Sequence, residues 1–413
     1  MKKHFVRIAA TFLKPRLITS ILLISSAVGA HAATAVRYSS LEEAVSTTLR
    51  QRAKLTGSAN TLFLGQAVSL SGNRALVGAQ LGTDGSTGSA FVFVSTGGTW
   101  SLEAELKSSD GAAFDGFGSA VSLSGNRALV GAETNIGTGH SGAAYTFVFD
   151  GTTWAQEAKL IPVGGINPQH FGNSVSLAGG RALIGAVADS GSTGSAYVFT
   201  LRNGGWRQTA KLTVPGGIGG DQFGTSVSLS GQRALIGAYG VANCIGSAYV
   251  YILNGNSWTL EATLNASDGL RFDDFGWSVS LSGDRAVVGA PFADNGIDSS
   301  AGAAYFFVFD GTSWTQEAEV MASDLGSVYF GYSVSLSGLS ALIGAPESST
   351  GSAYLFGFDG TSWNQQQKLT ATDGMSSDMF GYSVSLSGTR AVVGAYAADV
   401  DQVDAGAAYI FSR

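Results

Sequence analysis

A single cysteine, Cys244, stands in 413 residues, so no intramolecular disulfide can form even in an oxidising compartment. Histidine is almost as scarce. Only His140 and His170 lie beyond residue 32, and neither stands in a spaced motif with a nucleophile. No G-x-S-x-G, H-E-x-x-H, Walker loop or Cys/His metal spacing occurs, so no catalytic residue is assigned and no cofactor is expected. After residue 30 no run approaches eighteen consecutive apolar residues, which argues against a membrane-spanning chain. Positive charge is short as well. Setting residues 1–32 aside leaves 18 Lys and Arg against 30 Asp and Glu, a balance of −12. That sign is wrong for neutralising phosphates, so no nucleic-acid partner is expected. From residue 50 onward the apolar spacing of a helix is missing too.

Residues 1–32 read as a secretory signal. Lys2, Lys3, Arg7, Lys14 and Arg16 form a basic start without an acid, residues 17–30 are apolar, and Ala30-His31-Ala32 is an A-x-A cleavage site. Cleavage after Ala32 leaves a linker at 33–49 and a chain expected to act outside the cytoplasm, secreted, periplasmic or at the cell surface. No cysteine follows the cleavage point, so a lipid anchor is not expected.

What the sequence has in abundance is repetition. A Phe-Gly pair or its variant recurs at Leu64-Gly65, Phe117-Gly118, Phe171-Gly172, Phe223-Gly224, Phe275-Gly276, Phe330-Gly331 and Phe380-Gly381. Each is followed by V-S-L-S-G, with V-S-L-A-G at 175–179 the one variant, then R-A-[LV]-[VI]-G-A, with Ser340 for the Arg in the sixth unit, then G-[AS]-A-[YF]-x-[FY], and in the first six units a block opening on tryptophan and patterned on W-x-x-E-A-x-L. These blocks are short, rich in Val, Ile, Phe and Tyr, and bounded by Gly, Asp, Asn and Ser, which is the pattern of strands. Four strands, A to D, in a unit of about fifty residues make a propeller blade. The seventh unit ends after strand C, and residues 50–55 supply a strand D ahead of the first strand A. The expected fold is therefore all-β: a seven-bladed β-propeller over residues 50–413, with four antiparallel strands per blade and the N-terminal strand closing the last blade. Such closure removes exposed sheet edges. Trp100, Trp154, Trp206, Trp258, Trp314 and Trp363 hold one position in six units and are expected to pack between blades.

The Phe-Gly pairs, with the triplets Gly289-Ala290-Pro291 and Gly344-Ala345-Pro346, resemble the FG-GAP repeat family, the propeller of integrin α-subunit heads and of bacterial exported proteins. The resemblance spans residues 50–413 and implies the propeller fold. It also implies calcium loops of the D-x-D-x-D-G kind between strands A and B. Here that connection is a tight turn such as Ser282-Gly283-Asp284, with too few carboxylates for the six to eight oxygens calcium takes. Calcium is therefore left open as an occupant and is not carried over from the family.

Propeller connectivity places the A–B and C–D turns on one face and the longer, more variable B–C and D–A loops on the other, where binding usually resides. By position 18 of the 30 acids fall on that variable face, whereas Arg74, Arg127, Arg181, Arg233, Arg285 and Arg390 ring the opposite one. The arginines are expected to pair with D-G-T aspartates or to stack on the strand D tryptophans. The residues after Phe-Gly, at the channel mouth, are Gln66, Ser119, Asn173, Thr225, Trp277, Tyr332 and Tyr382. Three consecutive aromatics beside carboxylates suit stacking on a sugar ring or an apolar side chain, or simply plug the channel. The candidate ligand-binding set is Trp277, Tyr332, Tyr382, Asp268, Asp273, Asp274, Asp373 and Asp378. Asp399, Asp401 and Asp404 are the densest candidate metal cluster, and turn capping is the local alternative for all these acids. The leading expectation is a monomeric, non-enzymatic binding module for a carbohydrate or an extracellular or surface protein. The alternatives are a structural or adhesive component of a cell-surface assembly and, third, a glycosidase-like propeller enzyme.

Overall fold

The computed structural model describes residues 48–413 apart from 60, 83–86, 134–141, 164–169, 325, 327 and 401–402. The expected signal segment, and the linker up to residue 47, lie outside the described residues. Seven four-stranded antiparallel sheets follow one another, each in the order A, B, C, D. Blade 5 is typical, with strands Ser278–Ser282, Arg285–Ala290, Ala303–Phe309 and Trp314–Val320. In the last blade Arg50–Leu55 pairs antiparallel with Ala407–Ser412, so the N-terminal strand does close the ring. Among the described residues no helix is long and apolar enough to cross a membrane.

Strands A of neighbouring blades pack on one another, which places them nearest the axis, while strands D barely touch. Strand B is buried along its length after the leading Arg or Ser because a blade covers it on either side. The cores accordingly lie between blades: Leu76, Val92 and Leu106 of blade 1 pack with Phe117, Val130 and Tyr145 of blade 2. The interface of Leu55, Val392 and Ile410 with Val68, Val77 and Phe91 joins blade 7 to blade 1. Each buried Phe or Leu contributes about 1.5–3 kcal/mol.

Three repeated motifs find their reason here. The Gly of Phe-Gly has φ between 91° and 98°, and a Cβ there would meet a carbonyl of the preceding blade: 2.5 Å from Ser247 O for Gly276, 2.3 Å from Ser89 O for Gly118. The first serine of V-S-L-S reaches across to the next blade. Leu281 N–H donates to Ser228 Oγ at 3.0 Å, and the same bond recurs at all seven junctions, including Leu70 N–H to Ser385 Oγ at 3.0 Å. Finally, every pairing of strands C and D shifts register at the fourth residue of the W-x-x-E block, a glutamate in four blades, as between Thr146 and Phe147 opposite Ala158 and Gln156. This β-bulge turns Glu157 toward Arg127.

That bulge carboxylate settles what the arginine ring does. Arg74 binds Glu103 through two bonds of 2.7 Å, and the indole N–H of Trp154, from the next blade, donates to the same carboxylate at 2.8 Å. The same latch links Arg127–Glu157–Trp206, Arg233–Glu261–Trp314 and Arg285–Glu317–Trp363. Arginine stacking falls mainly on the phenylalanine before each D-G-T turn, as for Arg74 over Phe149 at 4.3 Å. The D-G-T aspartates mostly cap their own turns, as Asp150 does for the N–H groups of Thr152 and Thr153. Of the ring arginines, Arg233 also reaches an aspartate, Asp284 of an A–B turn.

Candidate binding face

Every blade enters strand A through one turn, x-Phe-Gly-x, and the turn aims two side chains at the mouth. The residue before Phe-Gly is left-handed in all seven units (Phe63, Gly116, His170, Gln222, Asp274, Tyr329 and Met379, φ from 54° to 68°). Six of the seven are not glycine, a strained choice that the buried Phe beside it overrides. The N–H of the residue after Phe-Gly donates back to that residue's carbonyl, as Trp277 does to Asp274 O at 3.0 Å and Tyr332 to Tyr329 O at 3.1 Å. A third side chain follows the Gly-Ala of strand B: Gln80, Glu133, Val187, Tyr239, Pro291, Pro346 or Tyr396.

These positions divide the mouth into two arcs. One is aromatic and continuous over four blades and into a fifth. Ring centroids run from Tyr239 to Trp277 at 5.1 Å, Trp277 to Tyr332 at 5.4 Å, Tyr332 to Tyr382 at 5.0 Å, Tyr382 to Tyr396 at 4.3 Å and Tyr396 to Phe63 at 5.9 Å. Phe292 and Tyr329 extend it outward from Trp277. All are half-buried, and most interplanar angles leave the rings tilted to one another. Burial, then the neighbouring Tyr382, pushes the Tyr332 phenol above its usual range, and burial, then Asp274, does the same for Tyr239. The other arc is polar. Gln66 donates to Gln80 at 2.8 Å, His170 pairs with Glu133, and Asn173 donates to the carbonyls of Gly224 and Thr225 at 3.0 and 3.1 Å. The Glu133 carboxylate holds the His170 imidazole above its ordinary value.

The structure brings Trp277, Tyr332 and Tyr382 together in one arc and scatters the acids. Asp273 and Asp378 are buried, and each accepts a backbone N–H of its own loop, from Leu270 at 2.6 Å and Met375 at 2.8 Å. Burial raises both carboxyls. Asp274, beside Trp277 in the turn, is pushed up to about 6 by burial and then by Asp273. Asp373 pairs with Lys54 at 2.6 Å, and Asp268 sits with Glu319 and Tyr305 at the edge of blade 5. Of the candidate metal cluster, Asp399 accepts the Asp404 N–H at 2.9 Å, and Asp401 lies outside the described residues. Among the described residues no group of three or more His, Cys, Asp or Glu gathers closely enough to hold a metal ion.

Tyr239, Tyr396, Phe63 and the His170–Glu133 pair join the mouth in addition to the residues expected from sequence. The signal was present: Tyr239 and Tyr396 occupy the slot after Gly-Ala that holds proline in the two Gly-Ala-Pro triplets, and that slot faces the residue after Phe-Gly.

A family model for the FG-GAP repeat matches residues 49–93, 100–147, 154–199, 206–251, 258–309, 314–356 and 363–411. No curated protein matches the chain. Six of the seven matched units begin on a strand D tryptophan, and the first begins at Leu49, the corresponding position ahead of the closing strand.

Proposed function

The chain belongs to the FG-GAP repeat family, and from that premise we propose that it is an exported, non-enzymatic binding module whose ligand docks on the variable loop face at the channel mouth. The observation that carries this reading is the aromatic arc from Tyr239 to Phe63. Half-buried rings held by a rigid scaffold present apolar faces at little entropic cost, and Asp274 and the polar arc offer hydrogen-bond partners around them. A carbohydrate fits this combination, since sugar rings have apolar faces and polar edges. The purified protein applied to a glycan array, with and without calcium, tests the reading. Replacing Trp277, Tyr332 and Tyr382 together by Ala is expected to abolish the signal; undiminished binding rejects it.

One observation favours the second reading, an adhesive component that contacts a protein. Phe114, Ile218, Leu270, Phe272, Ile297, Met375 and Val403 are all exposed on loops of this same face. Apolar loop tips set among carboxylates form a rim of the kind used in macromolecular contacts. A silent glycan array with specific retention of a surface protein selects that reading.

A further inference from the structure

Four blades carry the same internal cation site at the edge of the variable face. The last lysine of strand D lies against an aspartate and over the strand C tyrosine. Lys159 is 2.7 Å from Asp110 and 5.4 Å from the Tyr145 ring; Lys211 is 2.9 Å from Asp189 and 5.4 Å from Tyr197. Lys54 is 2.6 Å from Asp373 and 5.5 Å from Tyr409, and Lys368 pairs with Asp324 at 5.4 Å from Tyr354. The hydroxyls of Tyr145, Tyr197 and Tyr354 donate to the same aspartates.

Blade 5 keeps the acceptors and reverses the charge of the donor. Its tyrosine is Tyr305, and its aspartate is Asp268, four residues beyond strand D of the previous blade, as Asp110, Asp324 and Asp373 are beyond theirs. The lysine position holds Glu319. Glu319 lies directly opposite Tyr305 in the ladder of strands C and D, and the negative charges of Asp268 and Asp273 act on its carboxyl. Burial and then Asp268 hold Glu319 above the ordinary carboxylate range. Other blades that lack the lysine do not leave acids facing in this way. Blade 4 has Thr263 for the lysine and Gly216 for the aspartate, and in blade 1 Glu105 accepts from Ser89 and pairs with Lys107 at 3.0 Å. The charged neighbours of the blade 5 pair are Asp273, with Asp294 acting on it, and Arg271, whose guanidinium lies over Phe272 at 5.1 Å.

We propose that Asp268, Glu319 and Tyr305 receive the ammonium group of a lysine supplied by a partner protein, in the place that an internal lysine fills in blades 2, 3, 6 and 7. Those four sites show which group fits. Two carboxyls and one phenol are too few oxygens for calcium, which takes six to eight, but they match one ammonium with its three donors. Leu270 and Phe272, exposed in the same loop as Asp268, provide apolar contact beside the charge. A bound ammonium favours the ionised Glu319 carboxyl, which burial and its acidic neighbours hold above its ordinary value, so affinity rises with pH. The proposal rests on the reading of this face as a binding surface, though not on any occupant of the mouth.

The test is calorimetric titration of the whole chain with acetyl-Leu-Lys-Leu-amide and with the same peptide acetylated on the lysine. The charged peptide is expected to bind about tenfold or more tighter than the neutral one, and its affinity to rise from about pH 4.5 to about pH 7. Glu319→Lys, which repeats the arrangement of four other blades, and Asp268→Asn are each expected to weaken it by about tenfold. The triple alanine variant of Trp277, Tyr332 and Tyr382 is expected to bind the peptide undiminished, so failure at the mouth is distinguishable from failure here. Equal binding of the two peptides, indifference to Glu319→Lys, or calcium binding that Glu319→Lys abolishes while the peptide does not bind, overturns the proposal.

Discussion

A tryptophan at the start of strand D combines two interactions of separate origin. Trp363 stacks on Phe306 of the preceding blade with centroids 3.9 Å apart, and its N–H donates to Glu317 at 2.8 Å, the carboxylate that also holds Arg285. Trp363→Ala is therefore expected to cost about 3–5 kcal/mol in urea unfolding. Trp363→Phe, which keeps the ring contact and loses the donor, should cost about 1–2 kcal/mol. The tryptophan register was legible because one large apolar residue recurs at one offset; the glutamate's part was not, because the bulge breaks the period-two alternation from which facing is inferred. A second residue-scale consequence concerns Asp274. Its carboxyl titrates at about 6 in the fold, above its unfolded value, so the folded state binds the proton more tightly and stability falls as pH rises through that range. Asp274→Asn removes the penalty. The variant is expected to be more stable than the parent by about 1 kcal/mol at pH 7, after allowing for solvent screening of a half-exposed group. That difference should vanish below about pH 4 in denaturant titrations run at both pH values.

At the scale of the element, strand A carries the ring. Its outer edge pairs with strand B, while its inner edge faces the neighbouring blade with N–H groups that no ladder satisfies. The serines of V-S-L-S resolve this by offering Oγ to the next blade's leucine N–H. Ser228→Ala leaves the Leu281 N–H without that acceptor and is expected to cost about 1–3 kcal/mol, measured by urea unfolding. Ser228→Thr, which keeps the oxygen, should recover part of it. From sequence the alternation of Ser with Val and Leu identified the strand and its crowding, but the acceptor role needs the curvature that brings adjacent strands A together. The site shows the same division. Trp277, Tyr332 and Tyr382 were legible as neighbours because they share one register in consecutive blades. Tyr239 and Tyr396 lie fourteen or more residues from the Phe-Gly position of their own blades; the pairing of strands A and B sets Tyr396 against Tyr382, and the packing of blade 4 on blade 5 sets Tyr239 against Trp277.

For the whole molecule, the charged latches and the closure by strand pairing are distributed unevenly. The Arg–Glu–Trp latch joins four of the seven junctions. It is missing where Thr209 replaces the glutamate, and it is lost altogether between blades 6 and 7, where Ser340, Gln366 and Leu49 replace its three members. There Gln367 bonds the backbone of Leu49 at both N–H and C=O, at 2.8 Å each. Between blades 7 and 1 the arginine and tryptophan are kept, as Arg390 and Trp100, but the bulge position holds Arg52. Arg390 donates instead to the Gly72 carbonyl at 2.9 Å. The two blades flanking the chain ends thus depend on the closing strand where others depend on a charged latch. Arg52→Glu should install the missing carboxylate between Arg390 and Trp100. The four existing latches show that the geometry accommodates it. The expected gain is about 1 kcal/mol for a partly exposed pair, read as a higher urea midpoint at pH 7 with an unchanged slope. Glu103 and Glu261 in existing latches are held below the ordinary carboxylate value by their arginines and by the indole donor. A new Glu at 52 should behave alike, so its gain is present above the unfolded carboxylate value near pH 4 and disappears as pH falls through the lower folded one. A gain that persisted at pH 3, or none at pH 7, would show that the closing strand sits too far from Arg390 to complete the latch.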